Sequence, residues 1–187
     1  MYKSIFCLVI LSLLVTSCKK EQDPFLIQKQ HIGLLTDSTQ VKDLKTIYAT
    51  DSIVKYVGGD EFTGNINDIE IYEKGGKKLL VLSPSAALDS TATISDVRIL
   101  DPRFKTEKGI TLLSTFKDIK AAYKVTKIDN LLSSVVVTAN DINASFTIDK
   151  KELPANLRFD MNLKIEETQI PDKAKVKFFF INWHKTY

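Results

Sequence analysis

Thiols are scarce in this chain and confined to its start. The two cysteines, Cys7 and Cys18, both precede residue 19. Everything beyond them therefore has no disulfide, no thiolate metal site and no cysteine nucleophile. Histidine is as rare: His31 and His184 stand far apart and in no metal-ligand spacing. No apolar run after residue 20 is long enough to span a bilayer. Neither sign of charge dominates, with 26 Lys and Arg against 23 Asp and Glu. That balance argues against nucleic acid, which calls for a concentrated basic face. A nucleophile elbow, a phosphate loop and a dinucleotide fingerprint are all missing. Gly58-Gly59 and Gly75-Gly76 read as turn glycines. The carboxylate pairs Asp60-Glu61, Glu166-Glu167 and Asp149/Glu152 sit in polar turns with nothing to bring them together. Asp60, Asn65, Asn67 and Asp68 lack the ligand spacing of a calcium loop. The reading is of a protein that is not an enzyme and has no cofactor and no metal.

What is present begins at the N-terminus. Lys3 precedes an apolar run from Ile5 to Val15, followed by Val15-Thr16-Ser17-Cys18. A positive start, a short apolar stretch and small residues before a cleavage point describe a secretory signal. Those last four residues resemble a bacterial lipobox, with Val standing where Leu is commoner. The resemblance implies cleavage after residue 17 and acylation of Cys18, and hence anchoring to a membrane. Removing residues 1–17 takes away one charge, Lys3, leaving 25 basic and 23 acidic residues. Residues 18–31, polar and holding Pro24, read as a lipidated tether. Lys19-Lys-Glu-Gln-Asp23 resembles the charged surface-export signals of Bacteroidetes lipoproteins; a plain charged linker is the other reading.

The rest is read around a ten-residue stretch used twice. Thr39-Gln-Val-Lys-Asp-Leu-Lys-Thr-Ile-Tyr48 returns as Ser114-Thr-Phe-Lys-Asp-Ile-Lys-Ala-Ala-Tyr123. Each copy opens on a hydroxyl residue and keeps apolar side chains at i, i+3 and i+7, which predicts a short amphipathic helix. Val41, Leu44 and Tyr48, and likewise Phe116, Ile119 and Tyr123, are the expected core residues. Alternating, β-branched runs predict strands near 53–57, 68–73, 78–82 and 93–100 after the first copy. After the second copy they predict strands near 125–128, 131–139, 144–148, 157–165 and 174–183. Glu73-Lys-Gly-Gly-Lys77 predicts a hairpin turn. The closing strands also align, Ile94 with Val176 and Ile99 with Ile181. The fold class expected is thus α+β: a tandem repeat of a helix followed by about four antiparallel strands, the helices packed on one face. The units would be 32–104 and 105–187.

Helix, then strands, repeated in tandem, resembles the beta-lactamase inhibitor protein family and the small outer-membrane assembly lipoproteins that carry one such unit. Thr106-Glu-Lys-Gly109-Ile110, Ser114-Thr-Phe-Lys-Asp-Ile119 and Tyr123 carry the likeness. The inhibitor's paired disulfides are missing, and none of its contact residues is carried across. As a whole the chain resembles lipoproteins of Bacteroidetes.

Two features point to a binding surface. Lys105, Lys108, Lys117, Lys120 and Lys124 form a basic stripe about the second helix. Tyr48, Tyr56, Tyr72, Tyr123, Phe178, Phe179, Phe180 and Trp183 offer aromatics, although three consecutive Phe cannot share one strand face. Lys117, Asp118, Lys120 and Trp183 are the candidate partner contacts, beside the solvated-face and core readings of the same residues. The expectation is a non-catalytic binding protein, lipid-anchored through Cys18 to the bacterial outer membrane on its periplasmic or exposed face. It would serve a protein partner in scaffolding or assembly. The alternative is an inhibitor or immunity-type protein that blocks a secreted enzyme.

Overall fold

The computed structural model describes residues 23–55 and 67–183. Strands are the main element. β1 (Leu26–Gln28), β2 (His31–Ile32), β3 (Leu35–Thr36) and β8 (Lys105–Thr106) make a small sheet in the order β3-β2-β1-β8. The large sheet holds β4 (Ser52–Lys55), β5 (Ile69–Tyr72), β6 (Lys78–Pro84) and β7 (Ile94–Ile99). It continues with β9 (Lys127–Asn130), β10 (Ser134–Ala139), β11 (Ala144–Asp149) and β12 (Val176–Asn182). Its order is β4-β5-β6-β7-β12-β11-β10-β9, antiparallel throughout. Glu73–Lys77, with Gly75 and Gly76 at positive φ, makes the β5–β6 turn.

Alternation decides which face is buried. In β10, Val135, Val137 and Ala139 point inward between Ser134, Val136 and Thr138; in β11, Ala144, Phe146 and Ile148 do the same. The Phe178-Phe179-Phe180 run splits accordingly. Phe179 stacks on Phe146 in the core at 4.7 Å between centroids, while Phe178 and Phe180 meet edge to face on the other side. The core face is covered by the small sheet through Ile27, Ile32 and Leu35, by two short helical segments, and by the loops around Leu153, Leu157, Ile165 and Ile170. All of these join one apolar cluster.

The α+β repeat is not what forms. Among the described residues the fold is mostly β, with sheets of four and eight strands and one helix of seven residues, α2 (Phe116–Ala122). The first copy of the repeated stretch gives only a 3-10 turn, Val41–Asp43, and one helical turn, α1 (Leu44–Ile47). Composition explains the difference. The second copy continues into Ala121 and Ala122, strong helix formers, where the first has Thr46 and Ile47, whose branched Cβ resists helix. The apolar residues of both copies, Val41, Leu44, Tyr48, Phe116, Ile119 and Tyr123, are buried. They do so from local turns and not from a helical layer.

Three further differences bear on the site. Leu26–Gln28 lies within the stretch read as a tether, yet it is β1, because Phe25 and Ile27 find apolar partners. Lys105 and Thr106, read as the start of a second unit, pair in parallel with that strand. The strand expected over 157–165 is instead a 3-10 turn, Ala155–Leu157, followed by bends. Its strict alternation, Leu157, Phe159, Met161, Leu163 and Ile165, forms no ladder although β9 beside it is an edge strand; the Asn130 side chain takes the Asp160 and Leu163 carbonyls instead. Cys18, Tyr56, Gly58, Gly59, Asp60, Glu61, Asn65 and His184 lie outside the described residues.

The register gives the large sheet two distinct ends. Tyr72, Ile99, Val176, Asp149, Ser134 and Asn130 mark one; Ile69, Ile94, Asn182, Ala144, Ala139 and Lys127 mark the other. Phe25 belongs to the first end, with its ring edge-to-face with Phe104 at 5.1 Å and the Arg103 guanidinium 4.4 Å above it. Arg103 in turn forks onto Glu73 of the β5–β6 turn, at 2.8 and 2.9 Å. The start of the described chain is thereby pinned at the Arg103 end.

Candidate functional site

Lys117, Asp118 and Lys120 all lie on α2, whose entry is set by a capping box. The Thr115 N–H and hydroxyl each donate to Asp118 Oδ2 at 2.8 Å, and the Asp118 N–H donates back to Thr115 Oγ1 at 3.4 Å. Those bonds, the backbone one foremost, hold the Asp118 carboxyl below its ordinary range. Asp43 does similar work in the first copy, accepting from the Gln40 N–H at 3.3 Å. The repeated Asp is therefore a helix-start residue in both places. Lys120 pairs with Asp172 at 2.6 Å and lies over the Phe116 ring. Lys117 is exposed beside them. A shallow depression of about 560 Å³ lies between Lys108 and Asp118.

Trp183 is not near α2. It stands at the opposite end of the large sheet from Arg103 and forms part of a groove of about 690 Å³. The indole is buried, and its Nε1–H donates to the Lys29 carbonyl at 3.0 Å, which fixes the β1–β2 turn as one wall. The other wall is amide-rich. Asn182 Nδ2 donates to the Asn143 carbonyl at 3.3 Å and to Ser145 Oγ at 3.1 Å, and Asn143 itself adopts φ 54° after the 3-10 turn Asn140–Ile142. Lys127 and Asp129, an ion pair at 2.9 Å, close the rim. Its volume is in the range of small-ligand pockets, and its walls offer donors and acceptors together. It contains no nucleophile paired with a base. The structure thus separates the four candidate residues: three crowd around α2, and the fourth supports the groove.

One cluster escapes a reading of the sequence. On the face of the sheet away from the core, Glu70 accepts from the Tyr72 hydroxyl and from Lys78 Nζ at 2.5 Å. The hydrogen bond to Glu70 raises the Lys78 pKa despite partial burial. Glu70 and Tyr72 share a strand face by the period of two, and the β5–β6 turn brings Lys78 opposite Tyr72. That spacing was legible, but a carboxylate between two isoleucines gave no hint of burial. The cluster lines none of the grooves described here. Among the described residues no group of three or more His, Cys, Asp or Glu is placed to hold a metal ion, and no helix is long and apolar enough to cross a membrane.

The chain matches no family model and no curated protein. Among solved structures it is similar to the uncharacterized protein yfeY from Escherichia coli, at a TM-score of 0.54 and 16% identity. The match covers 83% of this chain and 98% of that one. At that identity the likeness concerns the fold alone. The resemblance to the beta-lactamase inhibitor protein rested on a helix-then-strands unit, which the sheets described above replace.

Proposed function

We propose that the protein is a lipid-anchored binding protein of the bacterial outer membrane, held through Cys18 and engaging a protein partner without catalysis. The observation that carries this reading is the Val15-Thr16-Ser17-Cys18 motif, which stands five residues before the start of the described structure. Two features of the fold support it. Asp23 leaves at the Arg103 end, while the amide-lined groove opens at the other end, the side turned away from an anchor. The groove offers hydrogen-bonding groups without a reacting pair, which suits a partner's polar loop better than a substrate. The test has two arms. Mass measurement of the mature N-terminus in the native strain should find an acylated Cys18, and Cys18→Ser should leave the precursor uncleaved. Pull-down from solubilised envelopes should recover a partner with the wild type and lose it with the rim substitutions Lys127→Glu and Asn140→Arg. An unmodified Cys18 refutes the anchor; retention of the partner by the rim variants refutes the groove.

A further inference from the structure

Of nine large apolar side chains exposed among the described residues, five sit on two neighbouring loops. Leu131 and Leu132 form the β9–β10 turn, closed by the Leu131 N–H on the Ser134 carbonyl at 2.9 Å. Phe159, Met161 and Leu163 belong to the bends that follow Leu157. Asn130 Nδ2 donates to the carbonyls of Asp160 and Leu163, at 2.9 Å each, and so clamps the second loop beside the first. Phe159 is 89% and Leu132 76% exposed. Monomeric proteins rarely gather such side chains on one prominence without a partner for them.

We propose that this tip enters a lipid surface and gives the protein a second membrane contact beside the acylated Cys18. The proposal rests on the lipid-anchor reading for its orientation. Asn130, Ser134, Asp149 and Val176 lie at the same end of the strands as Ile99, beyond which Arg103 pins Phe25. Asp23 stands five residues past Cys18, a reach of at most about 18 Å. Four strand spacings, about 19 Å, separate β7 from β9. A lipid on Cys18 and the apolar tip therefore address the same side of the molecule. Exposure without a cleft favours lipid over protein: none of the five side chains lines any of the surface grooves beside Lys108, Pro84, Trp183 or Lys164. Asn130 holds the backbone of the second loop, and Lys151 is exposed on a flanking segment, whereas Arg158 is engaged by the Leu153 and Lys151 carbonyls and Lys164 by Glu166.

The unlipidated chain from Lys19 contains every described residue, so it isolates the tip from the acyl anchor. It should float with vesicles of phosphatidylcholine, with or without added phosphatidylglycerol, since the apolar side chains carry the contact. Leu132→Ser combined with Phe159→Ser should reduce the vesicle-bound fraction at least tenfold at an unchanged melting temperature, because both side chains are in solvent. Absence of wild-type flotation with both vesicle types overturns the proposal, as does equal flotation of the double variant. A wild type that sediments as a dimer, floats with neither vesicle and turns monomeric in the double variant assigns the tip to self-association and overturns it too. Failure of the anchor is read separately, from the mass of the N-terminus.

Discussion

Arg103 grips Asp101 through its backbone and its guanidinium at once. The Arg103 N–H donates to Asp101 Oδ1 at 2.9 Å, and Nε and Nη2 donate to Oδ2 at 3.0 and 2.7 Å. Lys77 Nζ reaches the same oxygen at 2.9 Å, and the carboxylate is fully buried. The cluster ties the β5–β6 turn to the segment after β7, and through Phe25 to the start of the described chain. Asp101→Ala removes these charged hydrogen bonds, while Lys77 and Arg103 stay partly in solvent and Arg103 keeps Glu73. It should lower the unfolding free energy by about 1.5–3 kcal/mol, read from urea midpoints.

The same carboxylate predicts a pH dependence. Burial alone would raise its pKa, but the Arg103 bonds and Lys77 outweigh burial and hold it well below the ordinary range. A group depressed in the folded state stabilises fully above its unfolded pKa of about 3.9, and that stability is lost as pH falls towards the folded value. Wild-type urea midpoints should thus decline below about pH 4 more steeply than those of Asp101→Asn. Parallel curves for the two proteins would refute the assignment.

Around α2, melting temperatures should fall in a fixed order. Phe116→Ala empties a fully buried site and should cost about 3–5 kcal/mol. Asp118→Ala removes the capping carboxylate and should cost about 1 kcal/mol. Lys117→Ala, in solvent, should change little. Equal losses for Phe116 and Lys117 would overturn the placement of the helix.

Lys150 predicts a gain. It is 4% exposed, and its Nζ has no hydrogen-bond partner among the described residues. Burying an unpaired polar group is unfavourable, and an apolar side chain of similar length removes that burden. Lys150→Met should hold or raise the melting temperature; a loss above about 1 kcal/mol would mean that the ammonium has a partner after all.

Gly33 should tolerate no side chain. Its φ is +55°, and a Cβ there would lie 2.1 Å from the Pro24 carbonyl oxygen. Gly76, also at positive φ, faces open space. Gly76→Ala should cost about 1 kcal/mol from backbone strain alone, and Gly33→Ala clearly more, since backbone must move. Comparable denaturation midpoints would remove the close approach.

Strands were legible wherever alternation coincided with pairing. Val135-Val-Val137 and Ala144-Ser-Phe146 are strands in which the period of two records one buried face, whereas Lys78-Leu-Leu-Val-Leu82 is a strand whose Leu79 to Leu82 are all buried. The same alternation over Leu157–Ile165 makes no strand, since periodicity says nothing of whether backbone ladders form, and here the Asn130 side chain of the edge strand β9 takes the Asp160 and Leu163 carbonyls. The doubled Lys-Asp-x-Lys stretch was a true signal given too large a meaning. What it marks is a capping carboxylate at Asp43 and Asp118, followed by a turn or two of helix. The small sheet was hidden because its strands are two or three residues long, below any periodic signal. For the candidate site, Trp183 was visible as a lone tryptophan. The amides beside it, Asn143 and Asn182, come from distant segments that only the β11–β12 pairing joins.

The large sheet has one seam of a different kind. Every other ladder in it joins strands consecutive among those described, so each can close soon after its second strand leaves the ribosome. The β7–β12 ladder, pairing Asp96 with Asn182 and Ile99 with Phe179, joins strands separated by four others. Its loop-closure entropy is met only when nearly the whole chain is present, and such non-local pairing slows folding. Until then β7 offers an unpaired edge that another chain could occupy. A chain of this design depends on holding that edge apart until β12 arrives.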